Sequence, residues 1–226
     1  VRGKPVMSEW WTYRLSDFLM YTPQSFERLL ESYNVWLFPG QVVALAAGLA
    51  IVWASWRAGE RSLRMSLIVL GVSWEWIAWA FFTERLSTID LAAPYYAYGF
   101  ALQGVLLLWM GWRVRLNMLG PQPSSRRLGT VITTFSVFGL LLFAPLLGGS
   151  WKAIALFGLT PDATALATMG LLIATGMERK LTVIPLLWCV ASGALLWNLG
   201  QAYALLLPLI GIVVSIEILR TRQSPY

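Results

Sequence analysis

The stretch VSWEWIAWAFF, Val72 to Phe82, decides the class of this protein and raises its first question. It is apolar apart from Ser73 and Glu75, and it lies in a run at about residues 65–82, long enough for a transmembrane helix of ~17 to 25 residues. An ionised, unpaired carboxylate near the middle of such a helix costs about 2.5 kcal/mol or more. We therefore expect Glu75 to face the interior of a helix bundle, to be protonated, or to have a hydrogen-bond donor.

The composition of the whole chain predicts a membrane protein. Its 226 residues are 58% hydrophobic and 12% charged, whereas soluble domains are about 25% charged. The net charge of +6 comes from short basic clusters between apolar runs, which is typical of membrane-protein loops rather than of nucleic-acid-binding surfaces. We expect the lipid bilayer as a partner and no nucleic acid.

Scarce residue types exclude several kinds of site. The chain has no histidine, the usual ligand of haem b and of zinc and the usual base of serine hydrolases. Its one cysteine, Cys189, lies in an apolar run, so disulfides and iron–sulfur clusters are excluded. A retinal protein needs a lysine in its last span, but the lysines are Lys4, Lys152 and Lys180. The sequence identifies no catalytic residue, no metal site and no cofactor.

Apolar runs predict an all-α bundle of about seven transmembrane helices. In chain order the expected spans lie at about residues 35–56, 65–82, 91–112, 130–147, 160–176, 181–198 and 201–219. The first 34 residues form an extracytoplasmic amphipathic segment, in which Thr22 and Pro23 start an interfacial helix. Its role is membrane anchoring or partner docking. Residues 35–219 form the transmembrane domain, and residues 220–226 form a cytoplasmic tail.

The fifth span has a clear starting signal. Thr160 is suited to cap a helix, Pro161 to the first helical position, and Asp162 to the positive helix end. The preceding residues 151–159 then form a short interfacial or re-entrant piece. The alternative is a broken helix that lines a binding site, as in transporters.

Basic residues predict the orientation of the chain in the membrane. Of the 17 lysines and arginines, eleven fall in loops on one side of the predicted bundle and six on the other. The positive-inside rule places the richer side in the cytoplasm. We expect the N-terminus outside and the C-terminus inside.

Few polar side chains lie at the depth of Glu75, so the candidate site is small. Trp79 lies one turn from Glu75, and Gln103 lies midway along the third span. Tyr96, Asn198 and Gln201 lie towards the outer side. Together they predict an outward-facing vestibule that leads to Glu75, a site for a proton, a cation or another ligand. The alternative is a structural, protonated Glu75 bonded to a neighbouring helix.

Small residues recur on the fifth span at spacings of three or four. They are typical of close helix packing, within the bundle or against another protein, and they are Thr160, Ala163, Ala167, Gly170 and Ala174.

Several segments resemble a family of bacterial inner-membrane proteins known as a domain of unknown function. The resemblance includes SEWWTYRLSDF at Ser8–Phe18, PGQ at Pro39–Gln41, FALQGVLLLW at Phe100–Trp109 and ALFGLTPDAT at Ala155–Thr164. In that family the last segment often reads LFGxTPCPT, so Asp162 and Ala163 stand here in place of Cys-Pro. The resemblance implies a polytopic protein of the bacterial cytoplasmic membrane and supplies no activity.

Three functions follow from these features. We expect a non-enzymatic accessory or structural subunit that packs against a membrane-protein partner or a second copy, with bound lipid or pigment as an option. The alternative is a small transporter or channel with an intramembrane site around Glu75. A membrane enzyme acting on lipids is the least favoured, because histidine is absent and paired carboxylates are scarce.

Overall fold

The computed structural model describes residues 21–57, 59–113, 123–147, 150–177 and 179–223. Within these residues the protein is all-α, as predicted. The first 20 residues, with the motif SEWWTYxxSDF and most of the predicted 1–34 segment, lie outside the described residues, and so do residues 224–226 of the predicted tail.

The described residues form eight helices. They are α1 (Pro23–Leu37), α2 (Gly40–Arg57), α3 (Glu60–Trp76, continued by a π-helical turn Ile77–Thr83), α4 (Ala93–Arg113), α5 (Pro123–Thr134, continued through the π-helical Phe135–Gly139 and Leu140–Leu146), α6 (Pro161–Thr175), α7 (Val183–Asn198) and α8 (Leu206–Gln223). Short 3₁₀ turns occur at Leu86–Thr88 and Arg179–Thr182.

In the part of the chain that the structure describes, four helices are long and apolar enough to cross a membrane, so the prediction of about seven spans is wrong in number. The four candidate spans are Gly40–Arg57, Glu60–Thr88, Pro123–Phe143 and Arg179–Asn198. They indicate a multi-pass membrane protein that associates with the bilayer.

The other three predicted spans fail for different physical reasons. Helix α6 has only 15 residues. Helix α4 carries three tyrosines and Gln103, which lower its mean hydropathy. Helix α8 includes Glu217, Arg220 and Arg222, too many charges for a span of this kind.

Helix α6 lies at the centre of the protein. Every one of its residues except Asp162 is buried. Small residues allow this, because a Cβ placed on Gly170 would lie 2.5 Å from the Thr133 hydroxyl and 2.7 Å from the Gly129 carbonyl oxygen of α5. The whole predicted stripe is buried within the chain, and it consists of Thr160, Ala163, Ala167, Gly170 and Ala174.

Helix α1 begins as the sequence predicts, since the Thr22 hydroxyl accepts a hydrogen bond from the Ser25 backbone N–H. Helix α1 also makes hydrogen bonds to the segment that precedes α6. The Tyr33 hydroxyl donates to the Leu159 carbonyl at 3.0 Å, and the Asn34 amide donates to the Lys152 carbonyl at 2.8 Å. Helix α1 therefore fixes the position of residues 150–160, which directly precede α6.

Candidate ligand-binding site

The structure places Glu75 where α3 packs against α4. Its side chain is partly exposed and lies over Gly104, where an added Cβ would be 2.5 Å from Glu75 Oε1. This oxygen is buried and has no hydrogen-bond partner among the described residues. Glu75 thus meets a neighbouring helix, but its side chain stays partly exposed.

The aromatic residue one turn from Glu75 lies on the surface. Trp79 is 51% exposed, and its ring packs edge-on against Trp76, with 5.4 Å between the ring centroids. Trp76 in turn stacks on Trp36 of α1. These tryptophans form an outer aromatic surface and not a cage around the carboxyl group.

The remaining predicted site residues do not converge on Glu75. Gln103 is fully buried, and its amide donates to the Leu181 carbonyl at 2.9 Å. Tyr96 packs against Trp188, with 5.6 Å between ring centroids. Asn198 donates to the Ala194 carbonyl of its own helix, and Gln201 lines a separate cavity.

Asp162 has the surroundings that were expected for Glu75. It is the second residue of α6, close to the positive end of that helix, which favours a carboxylate. Its Oδ1 accepts two hydrogen bonds from α7, one from Trp188 Nε1 at 2.9 Å and one from Ser192 Oγ at 2.8 Å. The donors lie four residues apart, so they share one face of α7. Among the described residues, no hydrogen bond to Oδ2 is found.

Packing fixes the indole ring that holds this carboxylate. Trp188 is buried and meets three aromatic rings edge-on, those of Phe82, Tyr96 and Phe100, at centroid distances of 5.3, 5.6 and 5.1 Å. These contacts come from α3 and α4. Two helices besides its own therefore orient the donor to Asp162 before any ligand binds.

Asp162 lines a partly open cavity of about 70 Å³. Its wall is largely apolar and aromatic, with rings from Phe26, Phe81, Phe143 and Tyr203. A single water needs about 10–15 Å³ of such space, so the cavity has room for several waters or one small solute.

A second cavity of about 360 Å³ adjoins the first at the α1 end of the protein. The two share wall residues, namely Phe26, Leu30, Ala153, Leu196 and Tyr203. Glu27 lines the outer cavity, and its Oε1 accepts a hydrogen bond from the Ser150 backbone N–H at 3.1 Å. An acidic outer cavity thus borders the one that holds Asp162.

Tyr203 lies in the wall between the two cavities. Burial raises the pKa of its hydroxyl to about 12, and the negative charges of Asp162 and Glu27 add to that rise. The hydroxyl therefore keeps its proton at neutral pH and is available as a hydrogen-bond donor.

The described walls of both cavities carry negative charge without positive charge. Their described walls contain Asp162 and Glu27 but no lysine or arginine. Among the residues covered by the structure, no group of three or more potential metal-ligating His, Cys, Asp or Glu side chains occurs. The arrangement presents one carboxylate to a small space, with aromatic rings around it.

Sequence reasoning treated Asp162 only as a helix-start residue. The missed signal is the pair Trp188 and Ser192, two donors on one face of an otherwise apolar helix. Their partner is 26 and 30 residues away along the chain, so only helix packing reveals it.

Comparison with known proteins supports one part of the resemblance drawn from the sequence, membership of a family of unknown function. No curated protein and no solved structure matches the chain. One family model matches residues 23–224, which is most of the chain and begins after the SEWWTYxxSDF motif. The chain belongs to DUF6064, a family of unknown function.

Proposed function

We propose that this protein is a small transporter or channel that binds a monovalent cation, of ammonium type, at Asp162. The observation that supports the proposal is a carboxylate held by two donors, with no basic partner among the described residues, in an aromatic-walled cavity. The site differs from the one expected around Glu75.

The need for charge compensation favours a cation. An intramembrane carboxylate is costly unless it is paired or protonated, and such residues usually mark ion or substrate pathways. Trp188 and Ser192 bond to Oδ1, which leaves Oδ2 for a ligand. A proton on Oδ2 or a bound cation satisfies the same requirement, so protons and cations compete for the site.

The walls favour a small organic ammonium ion over a strongly hydrated metal ion. Aromatic faces attract ammonium groups by about 0.5–2 kcal/mol, more when water is excluded. Phe26, Phe81, Phe143 and Tyr203 supply such rings. The volume of about 70 Å³ restricts the solute to a few heavy atoms.

The two cavities give a direction of entry. We infer a location in the bacterial cytoplasmic membrane and entry of the cation from the α1 end, where the second cavity adjoins the one that holds Asp162. Glu27 at the outer cavity raises the local concentration of cations at that face.

Uptake into liposomes tests the proposal. The full chain is reconstituted, and labelled methylammonium uptake is measured under an inside-negative potential. Asp162→Asn keeps the shape but removes the charge, so we expect about a tenfold loss or more. Glu75→Gln is the matched control and should retain uptake within about twofold. Equal loss in both variants, or loss in neither, contradicts the assignment to Asp162.

A specific observation favours a second candidate, the accessory subunit. The Glu75 side chain is partly exposed beside the exposed apolar side chains of Val72 and Trp79, and a partner helix or second copy covers this part of α3 in this hypothesis. Extraction in mild detergent followed by mass spectrometry of proteins, lipids and pigments tests it. A stoichiometric partner that Glu75→Gln releases supports the subunit function, and a lone chain argues against it.

A further inference from the structure

A long groove lies between α2 and α3, at the end of the protein opposite the Asp162 site. It has a volume of about 650 Å³. Apolar side chains line its length, among them Ala50, Trp53, Met65 and Val69. Both helices that form it are candidate membrane spans, so this apolar length lies at the depth of lipid chains.

Basic side chains stand where the two helices meet the membrane surface. Arg57 ends α2 and Arg61 lies in the first turn of α3, and both are exposed and line the groove. The Arg57 guanidinium lies 5.1 Å from the centroid of the Trp53 ring, which holds it at the rim. Glu60 is the acidic residue of this wall, and with two arginines the rim keeps a positive balance.

One polar atom in the wall lacks a partner. The Ser62 hydroxyl oxygen is buried and makes no hydrogen bond to any residue that the structure describes. A hydroxyl donates readily to a phosphate oxygen. It is therefore a third group that suits an anionic head group.

We propose that this groove binds one anionic phospholipid. Its phosphate lies between Arg57 and Arg61 and accepts a hydrogen bond from Ser62, while an acyl chain follows Trp53 and Met65 along the groove. Basic pockets between transmembrane helices bind acidic head groups in this way. The occupant is a lipid rather than free phosphate, because most of the groove is apolar. The site is independent of the function proposed for Asp162.

Native mass spectrometry of the purified full chain tests this site. Phosphatidylglycerol and phosphatidylcholine are titrated separately in detergent, and the affinity of the first bound lipid is measured. We expect Arg57→Gln with Arg61→Gln to weaken phosphatidylglycerol binding about tenfold. The control, Arg113→Gln with Arg220→Gln, also removes two exposed charges near helix ends and should change binding less than about twofold.

A second variant tests whether the lipid binds in the groove or only at the charged surface formed by the arginines. Ala50 is exposed in the groove wall, so Ala50→Phe fills the space and keeps both arginines. We expect it to weaken phosphatidylglycerol binding several-fold, with glycerol phosphate failing to compete with the lipid. Unchanged binding in Ala50→Phe, equal loss in the control pair, or equal affinity for phosphatidylcholine overturns the proposal.

Discussion

Asp162 and Glu75 are two carboxylates in apolar surroundings, and they differ in their hydrogen bonds and in their access to a cavity. Asp162 lies on the central helix, accepts hydrogen bonds from Trp188 and Ser192, and opens into a cavity. Glu75 lies on α3 over Gly104 of α4 and is partly exposed, with Oε1 buried and without a hydrogen bond among the described residues. Depth in an apolar run therefore does not identify a site, whereas donors from another helix do.

The contrast has an energetic basis. A buried carboxylate becomes tolerable when hydrogen bonds replace the water it has lost. Asp162 receives this compensation from α7, and its helix end adds to it. Glu75 needs less compensation by hydrogen bonds, because its side chain is only partly buried.

The largest expected effect comes from disturbing the helix pair that supports Asp162. A Cβ on Gly129 would clash with the backbone of α6, at the Gly170 carbonyl oxygen and the Ala174 nitrogen. We expect Gly129→Leu to lower the free energy of unfolding by about 3 kcal/mol or more, measured by SDS titration in mixed micelles.

Gly99→Leu is the matched control, because a Cβ there meets nothing within 4 Å. Leucine also has the higher helix propensity, so this control should be neutral or stabilising by up to about 0.8 kcal/mol. If the two glycine variants lose the same stability, α5 and α6 do not pack as the structure has them.

The second-largest effect is expected when one hydrogen-bond donor to Asp162 is removed. Trp188→Phe keeps an aromatic ring in the cluster but deletes the N–H that bonds Oδ1. We expect a loss of about 1.5–3 kcal/mol in unfolding free energy, the value of a hydrogen bond to a charged group. Trp197→Phe on the same helix, 65% exposed, should change stability by less than about 0.5 kcal/mol. Similar losses in both would refute a specific role for the Trp188 indole.

A smaller effect is expected where α4 meets Glu75. Gly104→Ala places a methyl group 2.5 Å from the present position of Oε1, but that oxygen ends a flexible side chain and can move. We expect a loss of less than about 1 kcal/mol. In a double-mutant cycle with Glu75→Ala, this loss should largely vanish, and a loss that persists would mean that the α3–α4 backbone contact causes it.

The smallest effect is expected from Glu75 itself. Glu75→Gln preserves size and polarity at a partly exposed position, so unfolding free energy should change by no more than about 0.5 kcal/mol. A loss above about 2 kcal/mol in the isolated chain would show that Glu75 has a strong partner within the protein, and the comparison with Asp162 would fail.

Local signals in the sequence predicted local structure well. The Thr22-Pro23 start of α1 and the Pro161-Asp162 start of α6 are where expected. Even so, Thr160 occupies the capping position without bonding the helix, since its hydroxyl donates to the Leu156 carbonyl instead. The segment before α6 competes for the same side chain, which sequence spacing does not reveal.

The number of spans and the position of the site were beyond sequence reasoning. Apolar runs look alike whether they face lipid or the protein's own helices. Helix α6 is as apolar as a span, but it is short and surrounded. Likewise, an acid at a helix start looks the same with or without two donors from a distant helix.

By itself, the sequence determined the all-α class, the membrane association, the starts of α1 and α6 and the small-residue surface of α6, because these depend on composition and on contacts within a few residues. Only the tertiary structure decided that this surface is covered by α5, that Asp162 rather than Glu75 meets donors and a cavity, and that α1 holds the segment before α6. The reason is physical: burial and hydrogen bonding between helices depend on which faces meet, and the helical period leaves that choice open.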